Sequence, residues 1–316
     1  MADIEKYFNK KFTFSKYNLP PCNNENTYVE EKWTDPHLEK LKAELNNTKS
    51  LLNDKEVNHW RKHTDFTNRA GYVLDTIKCC YKITLLTQAW CKFYEILHSY
   101  GLVDTLFFRS LHICEAPGAF INALEFYLDS KRQNHMWQWV GNTLNPYYEG
   151  HSMSTAVFDD RFILPTYPCW NFGPNNTGDI MDPGFLDSLM EQVQANGPFH
   201  LVTADGSVDC QNLPDQQETL VAGLHFAEVV IALHCLAPNG NLVVKKFTLL
   251  ECDSVCLTFL LTCLFNKVNV FKPVTSKPGN SEVYVICQGF RATEASMILP
   301  ILRENLIKAV AYFYPP

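Results

Sequence analysis

The chain has 316 residues, 46% of them hydrophobic and 13% aromatic, which suits one large domain or a domain with an appendage. A formal charge of −7 excludes a generally basic nucleic-acid coat protein, though not a local basic groove. No apolar window approaches 18 residues, and Met1 to Phe8 lack a basic-then-apolar leader, so neither a membrane span nor a signal peptide is expected.

Residues 1–62 are polar, charged and locally helical, and read as an N-terminal helical extension with a poorly ordered start. Leu38, Leu41, Leu45, Leu51 and Leu52 suit a pair of amphipathic helices, while Pro20, Pro21 and Asn24 to Asn26 read as loop. From Phe66 the helical signal strengthens. A helix beginning near Thr87 runs through His98 and is closed by Gly101. Leu85, Ala89, Lys92 and Ile96 are spaced 4, 3, 4, so Lys92 stands in line with apolar residues. Its ordinary explanation is a stem snorkelling along the core.

Leu111 to Cys114 read as a buried strand, Glu115 to Gly118 as a tight turn, and Ala119 as the start of a helix with apolar Phe120, Leu124, Tyr127 and Leu128. An acid, Pro-Gly and then a helix N-terminus is nucleotide-site geometry at the carboxyl edge of a parallel sheet. Gly118 would let a ligand approach the backbone closely. No GxGxxG is present to cradle a pyrophosphate, which favours a cationic nucleoside such as S-adenosylmethionine over a dinucleotide. The same stretch is also compatible with an ordinary strand–turn–helix unit.

Trp137 to Asn142 read as the next strand, and Ala156 to Phe158 as a weaker one before Asp159 and Asp160. Asn171 to Ile180 form a long loop, of the kind that is often functional. Phe185 to Val193 suit a helix ended by Gly197. Phe199 to Ala204 form a strand with Asp205-Gly206-Ser207 at its carboxyl end, where a carboxylate points into the crevice or simply serves a turn. One long helix is predicted over Glu218 to Leu236, closed by Pro238-Asn239-Gly240. A strand over Asn241 to Val244 ends at Lys245 and Lys246. A helix (Ser254 to Phe265) and two strands (Val268 to Phe271, Glu282 to Cys287) follow, the strands suiting an antiparallel hairpin. Ala292 onward is helical, and the chain stops in an apolar run. Strand–helix alternation with a closing antiparallel pair predicts an α/β fold, a doubly wound sheet with helices on both faces.

The twelve cysteines lie mostly inside apolar runs, as at Cys114, Cys235, Cys263 and Cys287, which suits buried free thiols in a reducing compartment. There is no CxxC pair, and Cys252 and Cys256 have no histidines nearby, so no metal is expected.

Three strand ends then offer polar groups on one rim: Glu115 to Gly118, Asp205 and Lys245. Lys92 lies on the preceding helix and Glu282 starts the final strand. Two lysines and two acids around one crevice suit the activation of a weakly acidic hydroxyl such as a ribose 2′-hydroxyl. A lysine can accept the proton if burial or a like charge lowers its pKa, whereas Asp205 beside it pulls the other way. The pattern alone leaves that balance open.

Taken in order, several stretches carry a resemblance: Phe66 to Gly71, Thr87 to Phe93, Cys114 to Phe120, Asn142 to Pro146, Gly173 to Met181, Val202 to Ser207, and Phe271 to Lys277. The chain resembles the FtsJ-type ribose 2′-O-methyltransferases, most closely the cap-specific mRNA 2′-O-methyltransferase 2 family. The resemblance implies a Rossmann-like methyltransferase domain over residues 63–290 and an S-adenosylmethionine cofactor. It also implies a catalytic tetrad of Lys92, Asp205, Lys245 and Glu282, with Lys245 as proton acceptor. Lys246 beside it would face the other side of the strand. Glu115, Pro117, Gly118, Trp137, Asp160, Asp179 and Ala204 would then line the cofactor. The implied substrate is capped RNA (mRNA and small nuclear RNA), methylated on its second transcribed nucleotide to turn cap 1 into cap 2, in nucleus and cytoplasm. Arg69, Lys272 and Lys277, with Arg61 and Lys62, are candidate phosphate contacts. Tyr7, Phe12 and Tyr17 suit base stacking or the core equally. Residues 291–316 would begin a second, methyltransferase-like domain. Two rivals remain open at this point: an RNA-binding module of the same fold without turnover, and a nicotinamide-dependent reductase on a similar sheet.

Overall fold

The computed structural model describes residues 10–21, 32–51, 55–68, 70–131, 135–152, 156–182, 184–208, 210 and 216–313. Tyr7, Leu52 and Arg69 lie outside them. Their centre is a seven-stranded sheet ordered β1-β6-β7-β5-β4-β2-β3. Its parallel half is β2 (Phe107–Ile113), β3 (Met136–Gly141), β4 (Phe199–Ala204) and β5 (Leu236–Lys246). β6 (Phe265–Phe271) and β7 (Val283–Phe290) form the expected antiparallel pair, and β7 inserts beside β5. β2 lies between β3 and β4, so successive connections leave it in opposite directions. That makes the carboxyl ends of β2 and β4 the switch point where such sheets open a crevice.

Strand alternation sorts the core onto two faces. Phe108, Leu201, Val243, Tyr284 and Ile286 pack on one face with α4 (Gln88–Tyr100) and α5 (Ala119–Ser130). Leu111, Val202, Leu242, Val244 and Val285 pack on the other. There they meet α6 (Phe185–Asn196), α8 (Ala222–Cys235), α9 (Cys252–Leu264) and α11 (Leu299–Phe313). Helices on both faces give the doubly wound architecture that the alternation predicts. Thr87 caps α4 by accepting the Trp90 amide at 3.2 Å, and Gly101 ends it in the left-handed conformation, as the sequence signals indicate.

Several elements differ from expectation. The amino-terminal region does contain helices, α1 (Pro36–Ser50), α2 (Val57–Thr67) and α3 (Gly71–Cys80), but Lys11–Thr13 form β1, an edge strand antiparallel to β6. Three residues are too few to show a period, so only the partner strand reveals it. Phe12 and Tyr17 are exposed rather than part of the core. Ala156 to Phe158 form no strand; Trp170 instead makes a single parallel bridge with Gly141 beside β3. The helix expected over Glu218 to Leu236 is broken at Val221 into α7 (Gln217–Leu220) and α8. Pro238 to Gly240 fall inside β5, where the pairing with β4 jumps from Phe199–Leu236 to Leu201–Asn241. Short α10 (Ala292–Ala295) precedes α11. Among the described residues, no helix is long and apolar enough to cross a membrane.

Candidate active site

Four charged side chains meet at the carboxyl rim. Lys92 does not snorkel to solvent: it is only 8% exposed, and its Nζ ends 2.6 Å from Glu282 Oε1. Lys245 shares the strand face of Val243, towards α4, and its Nζ lies 3.2 Å from Asp205 Oδ1. The same amine donates to the Asp205 main-chain carbonyl at 2.6 Å. Lys246, one residue on, turns to the opposite face and is fully buried there, as alternation requires. Ser276 Oγ donates to Glu282 Oε1 at 3.2 Å. Tyr284, cross-strand partner of Lys245, donates its hydroxyl to Asp205 Oδ1 at 3.3 Å. The predicted tetrad is therefore assembled as two ion pairs, with Tyr284 tying them together. The periodicity of β7 places Tyr284 in the core, but nothing local marks it as a site residue.

Burial would lower the Lys245 ammonium. Asp205, Glu282 and Glu228 outweigh that penalty, and the amine sits above its ordinary range. Lys245 thus rests as a cation, which answers the balance that the sequence leaves open. Burial pushes the Asp205 carboxyl up, with Glu282 adding to the rise and Lys245 and Lys92 opposing it.

The other half of the rim is built differently. Glu115 is buried, and its Oε1 accepts the Phe120 and Ile121 amides at 2.6 and 3.2 Å, so it caps α5 instead of facing a ligand. Burial drives its carboxyl well above the usual range, and Asp205 adds to that rise. The Ala116–Pro117 peptide is cis, and Gly118 has φ +109°. A Cβ on Gly118 would lie 2.4 Å from the Phe162 ring. Glycine is thus needed to make room for the Phe162 ring, which packs against this bend. Trp137 is also not a rim residue: it stands at the amino end of parallel β3, and its indole N–H donates to Ser110 Oγ at 2.9 Å. Ala204 ends β4 at the rim, fully buried between Ile113 and Val244.

Of the two candidate acids, Asp160 accepts the Tyr147 hydroxyl at 2.9 Å on the turn that carries Phe162. Asp179 lies on the rim loop and accepts the Met181 amide at 2.9 Å. That loop is fastened by Asn142 and Asn145, neither singled out in the sequence as a separate site residue. Asn142 Nδ2 donates to the carbonyls of Asn171 and Gly178 at 3.1 and 3.0 Å, and Asn145 Nδ2 to that of Asn176 at 2.7 Å. At the rim between β2 and β4, burial pushes the Cys114 thiol well up, with Glu228, Asp179 and Asp205 adding to the rise and Lys245 opposing.

The candidate phosphate contacts are mostly engaged. Lys272 Nζ donates to Asn280 Oδ1 at 2.7 Å and to the Glu282 carbonyl at 2.9 Å, so it braces the loop before β7 instead of reaching solvent. Burial lowers its ammonium to about 8, against the pull of Glu282. Lys277 pairs with Asp65 at 2.7 Å, and Lys62 is exposed.

The family model described as FtsJ-like methyltransferase matches residues 85–290. The chain belongs to the FtsJ-like methyltransferase family. The match spans α4 to β7 and so includes all four tetrad members. The chain is also 46% identical, over 97% of its own length, to a Mus musculus protein named cap-specific mRNA (nucleoside-2'-O-)-methyltransferase 2. It is 42% identical over 98% of its length to the Drosophila melanogaster protein of that name. It spans 41% and 45% of those two relatives, so it matches less than half of each. In this FtsJ-like domain the sequence motifs locate the tetrad, whereas Tyr284, Asn142, Asn145 and Phe162 become visible as site residues only through long-range packing.

Proposed function

We propose that this chain carries the catalytic domain of an S-adenosylmethionine-dependent RNA 2′-O-methyltransferase, acting on the second transcribed nucleotide of capped mRNA and small nuclear RNA. One observation carries the reading: Lys92, Glu282, Asp205 and Lys245 alternate in charge around a single rim of an FtsJ-like sheet. The names of the relatives support capped mRNA as the substrate class. The cap 1 to cap 2 step, the small nuclear RNA substrates and a nuclear and cytoplasmic location extend the same reading. The nicotinamide alternative has no support from the family match.

When bound, adenosylmethionine would supply a methyl group made electrophilic by its sulfonium. The backbone of Glu115 to Gly118 and the acids Asp179 and Asp205 would hold it. The chain's own residues have a second task, which is to align a 2′-hydroxyl and take up its proton. Lys245 is the amine placed for that. Asp205 fixes it through both carboxylate and main-chain carbonyl. The Lys92–Glu282 pair completes the rim beside it and acts on Asp205. Because Lys245 rests protonated, it orients the hydroxyl as a donor and must lose a proton before it can accept one. The transfer rate is therefore expected to rise with pH across the neutral range. The test is methyl transfer from labelled adenosylmethionine to capped RNA by the full-length protein, with nuclease mapping of the modified nucleotide. Label on the second nucleotide's 2′-oxygen, abolished by Lys245→Ala, is the expected result. A folded full-length protein that transfers nothing would sink the reading.

A further inference from the structure

α8 is almost wholly apolar: Ala227, Val229, Val230, Ile231, Ala232 and Leu233 are all buried. In their midst stands Glu228, with no measurable exposure. A carboxylate in such surroundings is strongly disfavoured unless something specific holds it there. Its Oε1 accepts the Gly206 amide at 2.8 Å, and its Oε2 has no partner among the described residues.

The amide it holds is the important one. The peptide unit joining Asp205 to Gly206 is gripped at both ends, by Lys245 Nζ on its carbonyl at 2.6 Å and by Glu228 on its N–H at 2.8 Å. A cation, a peptide dipole and a carboxyl group are thus linked through one rigid plane. Space agrees with the hydrogen bond. A Cβ on Gly206 would fall 2.4 Å from Glu228 Oε1, so glycine is what allows the carboxylate to reach the main chain.

We propose that Glu228 is a positioning residue for the transfer: from the far side of the rim it fixes the Asp205–Gly206 peptide, and through that peptide the direction of the Lys245 amine. This rests on the methyltransferase reading above. Lys245 and Lys246 from β5 and Asp205 from the end of β4 all act on Glu228, and Glu228 in turn acts on Cys114 at the end of β2. Asp205, Glu282 and Glu228 in turn raise Lys245, and His225, a turn earlier on α8, feels both lysines. Burial holds the Glu228 carboxyl above its ordinary range, opposed by the Gly206 amide and the two lysines.

The test uses the full-length protein, labelled adenosylmethionine and capped RNA across a range of pH. Glu228→Gln keeps the shape and an acceptor for Gly206 but removes an anion that raises Lys245. At high pH, where Lys245 is neutral in both proteins, its kcat is expected to fall about tenfold, while the acid limb of the rate profile moves to lower pH and both KM values change little. Gly206→Ala, which pushes the carboxylate away, is expected to lose about a hundredfold in kcat. Lysine-selective isotope labelling gives a readout independent of turnover: the Lys245 Nζ titration should move to lower pH in Glu228→Gln. Folded variants with wild-type kcat and an unshifted Lys245 titration would overturn the proposal. A wild-type protein that transfers no methyl group would instead overturn the methyltransferase reading, while the lysine titration still decides for or against the link to Glu228.

Discussion

Around β4, β5 and β7 the rim is held by charged side chains that pair with one another. Around β2 and β3 it is held by neutral amides that fasten a loop across it. Lys92, Asp205, Lys245 and Glu282 each spend their charge on another member of the set. Asn142 and Asn145 spend their amides on main-chain carbonyls of residues 171–178. The first arrangement can move protons but has little slack. The second shapes a site without adding charge, with Asp179 as the acid on its loop. On the proposed reading one half serves the chemistry and the other recognition, and the two should fail in different ways.

The sharpest way to break the comparison is at Lys245. Lys245→Ala should lower kcat by about 10²- to 10⁴-fold, the range for a lost general base, with little effect on adenosylmethionine affinity measured by calorimetry. Leaving Asp205 without its partner also costs stability, so the melting temperature should fall as well. On the other half, Asn142→Leu removes two donors from buried carbonyls. It should cost about 2–6 kcal/mol in urea unfolding, counting about 1–3 kcal/mol for each group left unpaired. Here the KM for adenosylmethionine should rise more than kcat falls. Equal effects of both variants on kcat would erase the distinction between the halves.

The same difference explains what the sequence discloses. Lys245 stands out because strand alternation fixes its face, and Lys92 because helical spacing puts a charge in an apolar row. Such periodic signals are local, and they survive into the fold. Glu115 reads as a ligand contact because an acid at a strand end has two uses, and only the α5 amides reveal which one applies. Trp137 is named for the cofactor only by the resemblance, and its place at the start of its strand puts it at the end away from the carboxyl rim. Phe162, Asn142 and Tyr284 act through partners 28 to 79 positions away or over a bend no period describes, so nothing beside them in the chain announces their work.

A smaller effect separates the charged rim from the neutral sheet interior beneath it. His112 is fully buried between Thr203 Oγ1 at 2.8 Å and Ser110 Oγ at 2.9 Å. Burial lowers it to about 3, against about 6.5 in an unfolded chain. Between those values the unfolded state binds a proton that the folded state refuses. The stability from His112 is therefore fully present above about pH 6.5 and is lost as pH falls towards 3, with a slope approaching about 1.4 kcal/mol per pH unit. Urea unfolding from pH 7 to 4 should show this slope, reduced in His112→Gln. An unchanged slope in that variant would assign the acid sensitivity to other groups.

The smallest effect concerns the mouth of the site. The Lys277–Asp65 pair ties α2 to the loop before β7, but Asp65 is largely exposed and the pair should contribute less than about 1 kcal/mol to stability. Its interest lies in the opposite signs expected for RNA binding. If Lys277 turns to a phosphate when RNA arrives, Lys277→Gln weakens binding and lowers the slope of log affinity against log salt by about one. Asp65→Asn releases the same lysine and should tighten binding by a few-fold, with melting temperatures unchanged in both variants. Salt titrations of capped-RNA affinity in the two variants read this directly. Changes of the same sign, or none, would leave Lys277 as a brace between helix and loop and place the RNA backbone on other cations.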